Sequence, residues 1–228
     1  MRVSKLTLYT KNLAGQKAFY KKTLGLSLAN ETERSATVSL RNTELTFREK
    51  PGATPYHYAI NIPSGCIEHA ALWLKGRVEL LTDEGKEVHD FPSWNAKSIY
   101  FYDTDKNIVE LISRNNLGYP SEGAFGADSL IEVSEIGLPV RDIRTYYEKL
   151  KGATGMELFD GNLEEFSAIG DEFGLFICIN RFSKTWYPVG DTAYASDFEI
   201  TFTEKSRDFN ASFGHERLEI TRNKGTIH

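Results

Sequence analysis

Two stretches decide the fold: Lys5-Leu-Thr-Leu-Tyr-Thr-Lys-Asn-Leu13 and Glu135-Ile-Gly-Leu-Pro-Val-Arg-Asp-Ile143. At an offset of 130 they pair Leu6 with Ile136, Leu8 with Leu138, Asn12 with Asp142 and Leu13 with Ile143, without a gap. The same offset pairs Leu24-Gly25-Leu26-Ser27-Leu28 with Thr154-Gly155-Met156-Glu157-Leu158. A fixed period of this kind marks an internal repeat, which constrains the architecture before any single element is read.

Each copy opens with alternating apolar residues, the pattern of a strand with one buried face. The strand ends in Asn12 or Asp142, whose side-chain oxygens suit a helix N-cap. In the first copy Leu13, Lys17, Tyr20 and Leu24 share a helical face, and Gly25 stands where a left-handed C-cap stops the helix. Alternation then predicts strands over 36–40, 44–48 and, past Pro51-Gly52 and Pro55, over 57–62.

From His57 the pattern restarts: a strand, the Pro63-Ser-Gly turn, and a helix with Ile67, Ala70, Ala71 and Leu74 on one face. Strands follow near 78–81, 99–102 and 108–113, the last two joined by the polar turn Asp103-Thr-Asp-Lys-Asn107. The repeat is therefore nested, the unit is βαβββ, and the fold class is α+β. Residues 1–115 hold two units and 116–129, rich in Gly, Pro and Ser, read as a linker. Residues 130–228 are expected to form a second, truncated half, because only 26 residues follow Phe202. Its last unit is expected to open at Asp197–Phe202 and to close with Arg217–Arg222.

Composition narrows the function classes. With 228 residues, 40% hydrophobic and 26% charged, the chain is expected to fold into an ordinary globular protein. A net charge of −5 and the lack of a Lys/Arg cluster argue against a nucleic-acid partner. No apolar run approaches the ~20 residues of a spanning helix and the first residues lack a signal-peptide core, so a cytoplasmic location without membrane partners is expected. Cys66 and Cys178 lie outside any CxxC spacing and are expected as reduced, buried thiols. No Gly-rich phosphate loop, Ser-His-Asp arrangement or nucleophilic-cysteine motif occurs.

The opening segment, Leu6 through Phe19-Tyr20 to Leu24-Gly25-Leu26, resembles that of a bacterial glyoxalase. The segment Ile99-Tyr-Phe-Tyr-Asp103-Thr-Asp-Lys-Asn107-Ile-Val-Glu110-Leu-Ile resembles the closing strand pair of the vicinal-oxygen-chelate superfamily, which includes glyoxalases, bleomycin-resistance proteins and extradiol dioxygenases. The resemblance covers nearly all of 1–115 and, more weakly, 130–202. It implies two glyoxalase-like domains, each of U-shaped mixed sheet around a cleft, with up to four metal ligands on the strands.

Those positions fall on Lys5, Glu44, His57 and Glu110. His57, Glu110 and Glu44 would make an imidazole and carboxylate set that Zn, Ni, Mn or Fe(II) accepts. Lys5 departs from the pattern, since an ammonium has no lone pair to give and repels a cation. It is expected either to replace the ion by pairing with Glu44 or Glu110, or to act as an oxyanion partner. The matching positions of the second half are Glu135, Gly174, Asp197 and Glu219, either a hard-ion site or an exposed acidic patch. Glu135 and Asp197 stand where extradiol enzymes carry histidines, which argues against ring cleavage there.

Two readings follow from the resemblance. One is a metal-assisted lyase, isomerase or dioxygenase acting on a small organic molecule with vicinal oxygens, with Glu44 as general base. The other is a metal-free small-molecule-binding protein of the bleomycin-resistance kind, with Lys5 replacing a metal ligand. In both, the partner is a small molecule. Phe47, Tyr56, Tyr58, Trp94, Tyr100, Tyr102 and Trp186-Tyr187-Pro188 divide between core and cleft wall. The resemblance is also compatible with a homodimer.

Overall fold

A computed structural model describes residues 1–223. The first unit comprises β1 (Arg2–Thr10), α1 (Leu13–Ala18), which continues as a π-helical turn (Phe19–Thr23), β2 (Leu28–Ala29), β3 (Ser35–Ser39) and β4 (Glu44–Glu49). The second comprises β5 (His57–Ile62), α2 (Ile67–Leu74), β6 (Leu80–Leu81), β7 (His89–Phe91), β8 (Ala96–Tyr102) and β9 (Ile108–Arg114). The third comprises β10 (Glu132–Val140), α3 (Ile143–Thr154), β11 (Leu158–Gly161), β12 (Phe166–Asp171) and β13 (Gly174–Asn180). Among the described residues the fourth has no helix: β14 (Phe198–Glu204), β15 (Arg207–Gly214) and β16 (Arg217–Arg222) form an antiparallel meander.

The repeat is visible in the local chemistry. Asn12 and Asp142 both cap their helices, accepting from the backbone N–H of Gly15 and Thr145. Gly25 and Gly155 both follow their helices at positive φ, a conformation that costs glycine nothing. Gln16, not Lys17, occupies the inward face of α1 with Leu13 and Tyr20, while Lys17 reaches the Thr32 carbonyl at the surface.

In the first three units the opening strand is parallel to the closing one, β1 to β4, β5 to β9 and β10 to β13. Such pairing needs a crossover, which the helix supplies. In the fourth, the two-residue turns Lys205-Ser206 and His215-Glu216 are left-handed throughout, the conformation that joins hairpin strands tightly. A short chain can thus complete a sheet without a helix.

Two sheets result. The seven-stranded sheet runs β16-β15-β14-β1-β4-β3-β2, and the other runs β11-β12-β13-β10-β5-β9-β8-β6, with β7 added on β8. The first unit therefore joins the fourth, through β1 and β14, and the second joins the third, through β5 and β10. Each sheet takes strands from both sides of the 116–129 segment. Thr43 ties the sheets together, donating to the Val3 carbonyl and accepting from Val133 N–H.

Residues from both sheets and all three helices, among them Leu6, Tyr20, Phe47, Tyr58, Ala70, Leu150 and Phe202, form one core. A second apolar cluster, including Tyr100, Ile177, Ile179 and Trp186, covers the other face of the nine-stranded sheet. Because both faces are covered, every residue of β10 is buried. Cys66 and Cys178 are free and buried. No helix among the described residues is long and apolar enough to cross a membrane.

Candidate metal centre

Strand β5 lies between β9, parallel to it, and β10, antiparallel to it. Ala59 is in register with Glu110 on one side and Glu135 on the other, so the two acids flank the strand next to His57. His57, Glu110 and Glu135 are 7%, 3% and 3% exposed. One ligand atom from each lies within 4.8 Å of the others, and His57 Nε2 is 3.5 Å from Glu110 Oε2.

Each of the three has its other heteroatom bound by the protein. His57 Nδ1 faces the Ile108 carbonyl at 3.3 Å, where it donates its proton and leaves the Nε2 lone pair free. Burial lowers the imidazole pKa to about 4, so the ring is neutral near pH 7. Ser98 Oγ donates to Glu110 Oε1. Arg114 Nη2 donates to Glu135 Oε1. Partners of this kind orient metal ligands and fix a histidine tautomer.

The electrostatics favour a cation. Burial, and then the charge of Glu135, pushes the Glu110 carboxyl well above the usual carboxylate range. Burial also raises Glu135, against the opposing pull of Arg114. Two adjacent buried carboxylates cannot both ionise cheaply beside a single guanidinium. A neutral imidazole with two carboxylates is a donor set that borderline divalent ions accept, so these residues fit such an ion.

The three ligands open into a cavity of about 610 Å³. Its walls are aromatic and aliphatic: Phe91, Trp94, Tyr100, Phe166, Trp186 and Tyr187, with Ile177 and Ile179. The chain between β13 and β14 crosses this face of the sheet and brings Trp186 within 4.9 Å of His57, ring centre to ring centre. Polar contacts hold the walls: Trp94 Nε1 donates to Asp160 at 2.6 Å, and Tyr187 Oη meets His89 Nδ1 at 2.6 Å.

Of the residues singled out in the sequence, His57 and Glu110 come together. Lys5 and Glu44 do not join them. They lie on the seven-stranded sheet, 63% and 47% exposed, paired with one another at 3.0 Å. Glu44 is thus placed neither to ligate nor to act as base at this centre, and Lys5 faces solvent. The reason is topological: β5 has β9 and β10 as neighbours, so the third unit, not the first, completes the cluster.

Glu135 supplies the third carboxylate. In register Lys5 pairs with Glu44 as Glu135 pairs with Leu175, so an apolar residue stands at the fourth position in place of Gly174. Asp197 is held by Lys50, and Glu219 is exposed on β16. Among the described residues no second cluster of potential ligands forms.

Sequence reasoning missed Arg114 and Ser98. For Arg114 the signal was present: it lies on the Glu110 face of β9, four residues on, at the end of a strand whose other residues, Glu110 and Ser113 apart, are apolar. Among the aromatics, Trp94, Tyr100, Trp186 and Tyr187 line the cavity, while Phe47 and Tyr58 belong to the main core.

No protein-family model and no curated protein matches the chain. Solved structures do. A Bacillus subtilis protein whose dioxygenase assignment is itself provisional superposes with a TM-score of 0.62 at 13% identity, covering 97% of this chain and 84% of its own. A variant of glyoxalase I from Zea mays superposes at 0.52 and 14% identity, covering 78% and 66%. A glyoxalase/bleomycin resistance protein/dioxygenase from Nocardioides is 22% identical over 54% of this chain and 89% of its own, with a TM-score of 0.41. The chain thus has the fold of the Bacillus subtilis protein and of the Zea mays glyoxalase I variant.

Proposed function

We propose that this protein binds a divalent metal ion through His57 Nε2 and one oxygen each of Glu110 and Glu135, and acts there on a small organic molecule with two adjacent oxygens. The observation that carries the reading is the matched set of ligands. Each has one heteroatom tied to Ile108, Ser98 or Arg114, and each leaves the other free toward a common centre.

When bound, the ion would act as a Lewis acid on the paired oxygens. The chain's own residues have three tasks. His57 stays neutral and keeps its lone pair on the cavity side. Glu110, beside which no cationic side chain stands among the described residues, is the carboxylate suited to leave the ion and take up or release a proton at Oε2. The aromatic walls exclude water and accept a flat, largely apolar molecule.

The alternative of a metal-free binding protein draws on a different feature: Ser98 and Arg114 already satisfy one oxygen of each carboxylate. Elemental analysis of purified protein, with calorimetric titration by Zn, Ni, Mn and anaerobic Fe(II), separates the two. Near-stoichiometric binding lost in His57→Ala and Glu110→Ala supports the metal reading. Binding no better than in those variants overturns it in favour of the metal-free cleft.

A further inference from the structure

Arg114 is the one guanidinium that contacts the centre among the described residues. Its side chain is fully buried, it bonds Glu135 through Nη2, and its Nε and Nη1 have no protein partner. The ring of Trp94 lies 5.3 Å from its guanidinium carbon. Arginine does not lose its proton at any pH the protein survives, so this charge is permanent. It is also strong here, because little water screens it.

The remaining charges of the cavity are engaged elsewhere. Lys184 is half exposed and pairs with Glu165 at 3.4 Å, and Asp160, which accepts from Trp94, is exposed at the rim, where solvent screens it. The net charge at the cavity floor therefore comes from Glu110, Glu135 and Arg114. In the forms in which these residues ligate, two carboxylates and a neutral imidazole, this floor with Arg114 carries one net negative charge. A divalent ion would turn it into one net positive charge. Without Arg114 the same loaded centre would be neutral.

We infer that Arg114 sets the loaded centre at a single positive charge and so selects molecules that bind through two adjacent oxygens as monoanions. The inference rests on the metal reading above. A monoanion brings the site to neutrality, a dianion overshoots it, and a neutral molecule leaves one buried positive charge without compensation. Arg114 also repels the ion it sits beside, so the preference comes at some cost in metal affinity. It is a positioning and charge-setting residue, acting through Glu135.

The test is calorimetry on the zinc-loaded protein with two probes: acetohydroxamate, which binds as a monoanion through adjacent oxygens, and imidazole, which binds neutral. Arg114→Gln keeps an amide that can donate to Glu135 and removes the charge; Arg114→Met removes both; Arg114→Lys keeps the charge without the fork. In the Gln and Met variants acetohydroxamate affinity should fall roughly tenfold or more, while imidazole affinity stays within about twofold and zinc binds at least as tightly. The Lys variant should recover acetohydroxamate binding to within about threefold of wild type.

Unchanged acetohydroxamate affinity in zinc-loaded Arg114→Gln overturns the inference and leaves the metal centre standing. So does a parallel loss of both probes, which would mark a purely structural arginine. Failure of wild type to bind zinc removes the centre, and the inference with it. Melting curves identify any variant that does not fold, and Arg114→Gln, the closest neutral replacement, decides the matter if Arg114→Met is lost.

Discussion

The indole of Trp186 occupies the space that a side chain at residue 137 would need: a Cβ on Gly137 would stand 2.7 Å from Trp186 Cζ2 and 3.1 Å from the His57 carbonyl. Glycine at this point of β10 is what lets the crossing segment seat its tryptophan over His57. Gly137→Ala should force the ring away and lower stability by about 1–3 kcal/mol, the usual cost of overpacking. Denaturant unfolding together with tryptophan emission checks this; an unshifted spectrum with full stability would refute the packing argument.

The ligand set gives a graded expectation for zinc affinity. Removing a direct ligand, as in His57→Ala, Glu110→Ala or Glu135→Ala, should reduce it most. Ser98→Ala, which only frees Glu110 Oε1, should cost roughly tenfold to a hundredfold. Glu44→Ala should leave zinc binding unchanged. Calorimetric titration of the series settles the assignment, and equal losses in Glu44→Ala and Glu135→Ala would contradict the observed topology.

The Lys5–Glu44 pair is exposed on both sides and sits on the other sheet. Such pairs contribute at most about 1 kcal/mol. Lys5→Ala should therefore barely move the unfolding midpoint, and Lys5→His should create no metal site, because among the described residues Glu44 is the one acid that pairs with this position. Metal-dependent stabilisation of Lys5→His in a thermal melt, beyond that of wild type, would count against this.

Asp103 provides a pH signature. It is buried in the turn between β8 and β9, where it accepts from the backbone of Asp105 and Asn107. Burial raises its pKa from 3.8 to about 6, in spite of those hydrogen bonds. The native state thus holds this proton more tightly than the unfolded chain does. The resulting stabilisation is complete below about pH 4 and is lost as pH rises through about 6, on the order of 3 kcal/mol in all. Asp103→Asn should flatten that part of the stability profile relative to wild type. Parallel profiles for the two proteins, from urea titrations between pH 4 and 7.5, would refute the assignment.

Much of the fold was legible because its signals are local. The caps Asn12 and Asp142, the left-handed glycines Gly25 and Gly155, the helical face of Ile67, Ala70, Ala71 and Leu74, and the strand from His57 to Ile62 all depend on residues within a few positions of one another. The meander of the fourth unit was only half visible. Its outer strands were anticipated and β15 was not, although Phe209, Ala211 and Phe213 alternate with polar residues, and the lack of a helix between them followed only from the length that remained.

The site divides along the same line. The sequence by itself determined the repeated βαβββ units, the acid on the closing strand of the second unit and the histidine on its opening strand, because periodicity and spacing within one unit set which face a residue occupies. Only the tertiary structure decided which units share a sheet. Pairing β5 with β10, and β1 with β14, is a contest between edges far apart in sequence, and no short-range pattern encodes its outcome. That choice brings Glu135 to His57 and Glu110 with Arg114 behind it, and leaves Lys5 and Glu44 facing water.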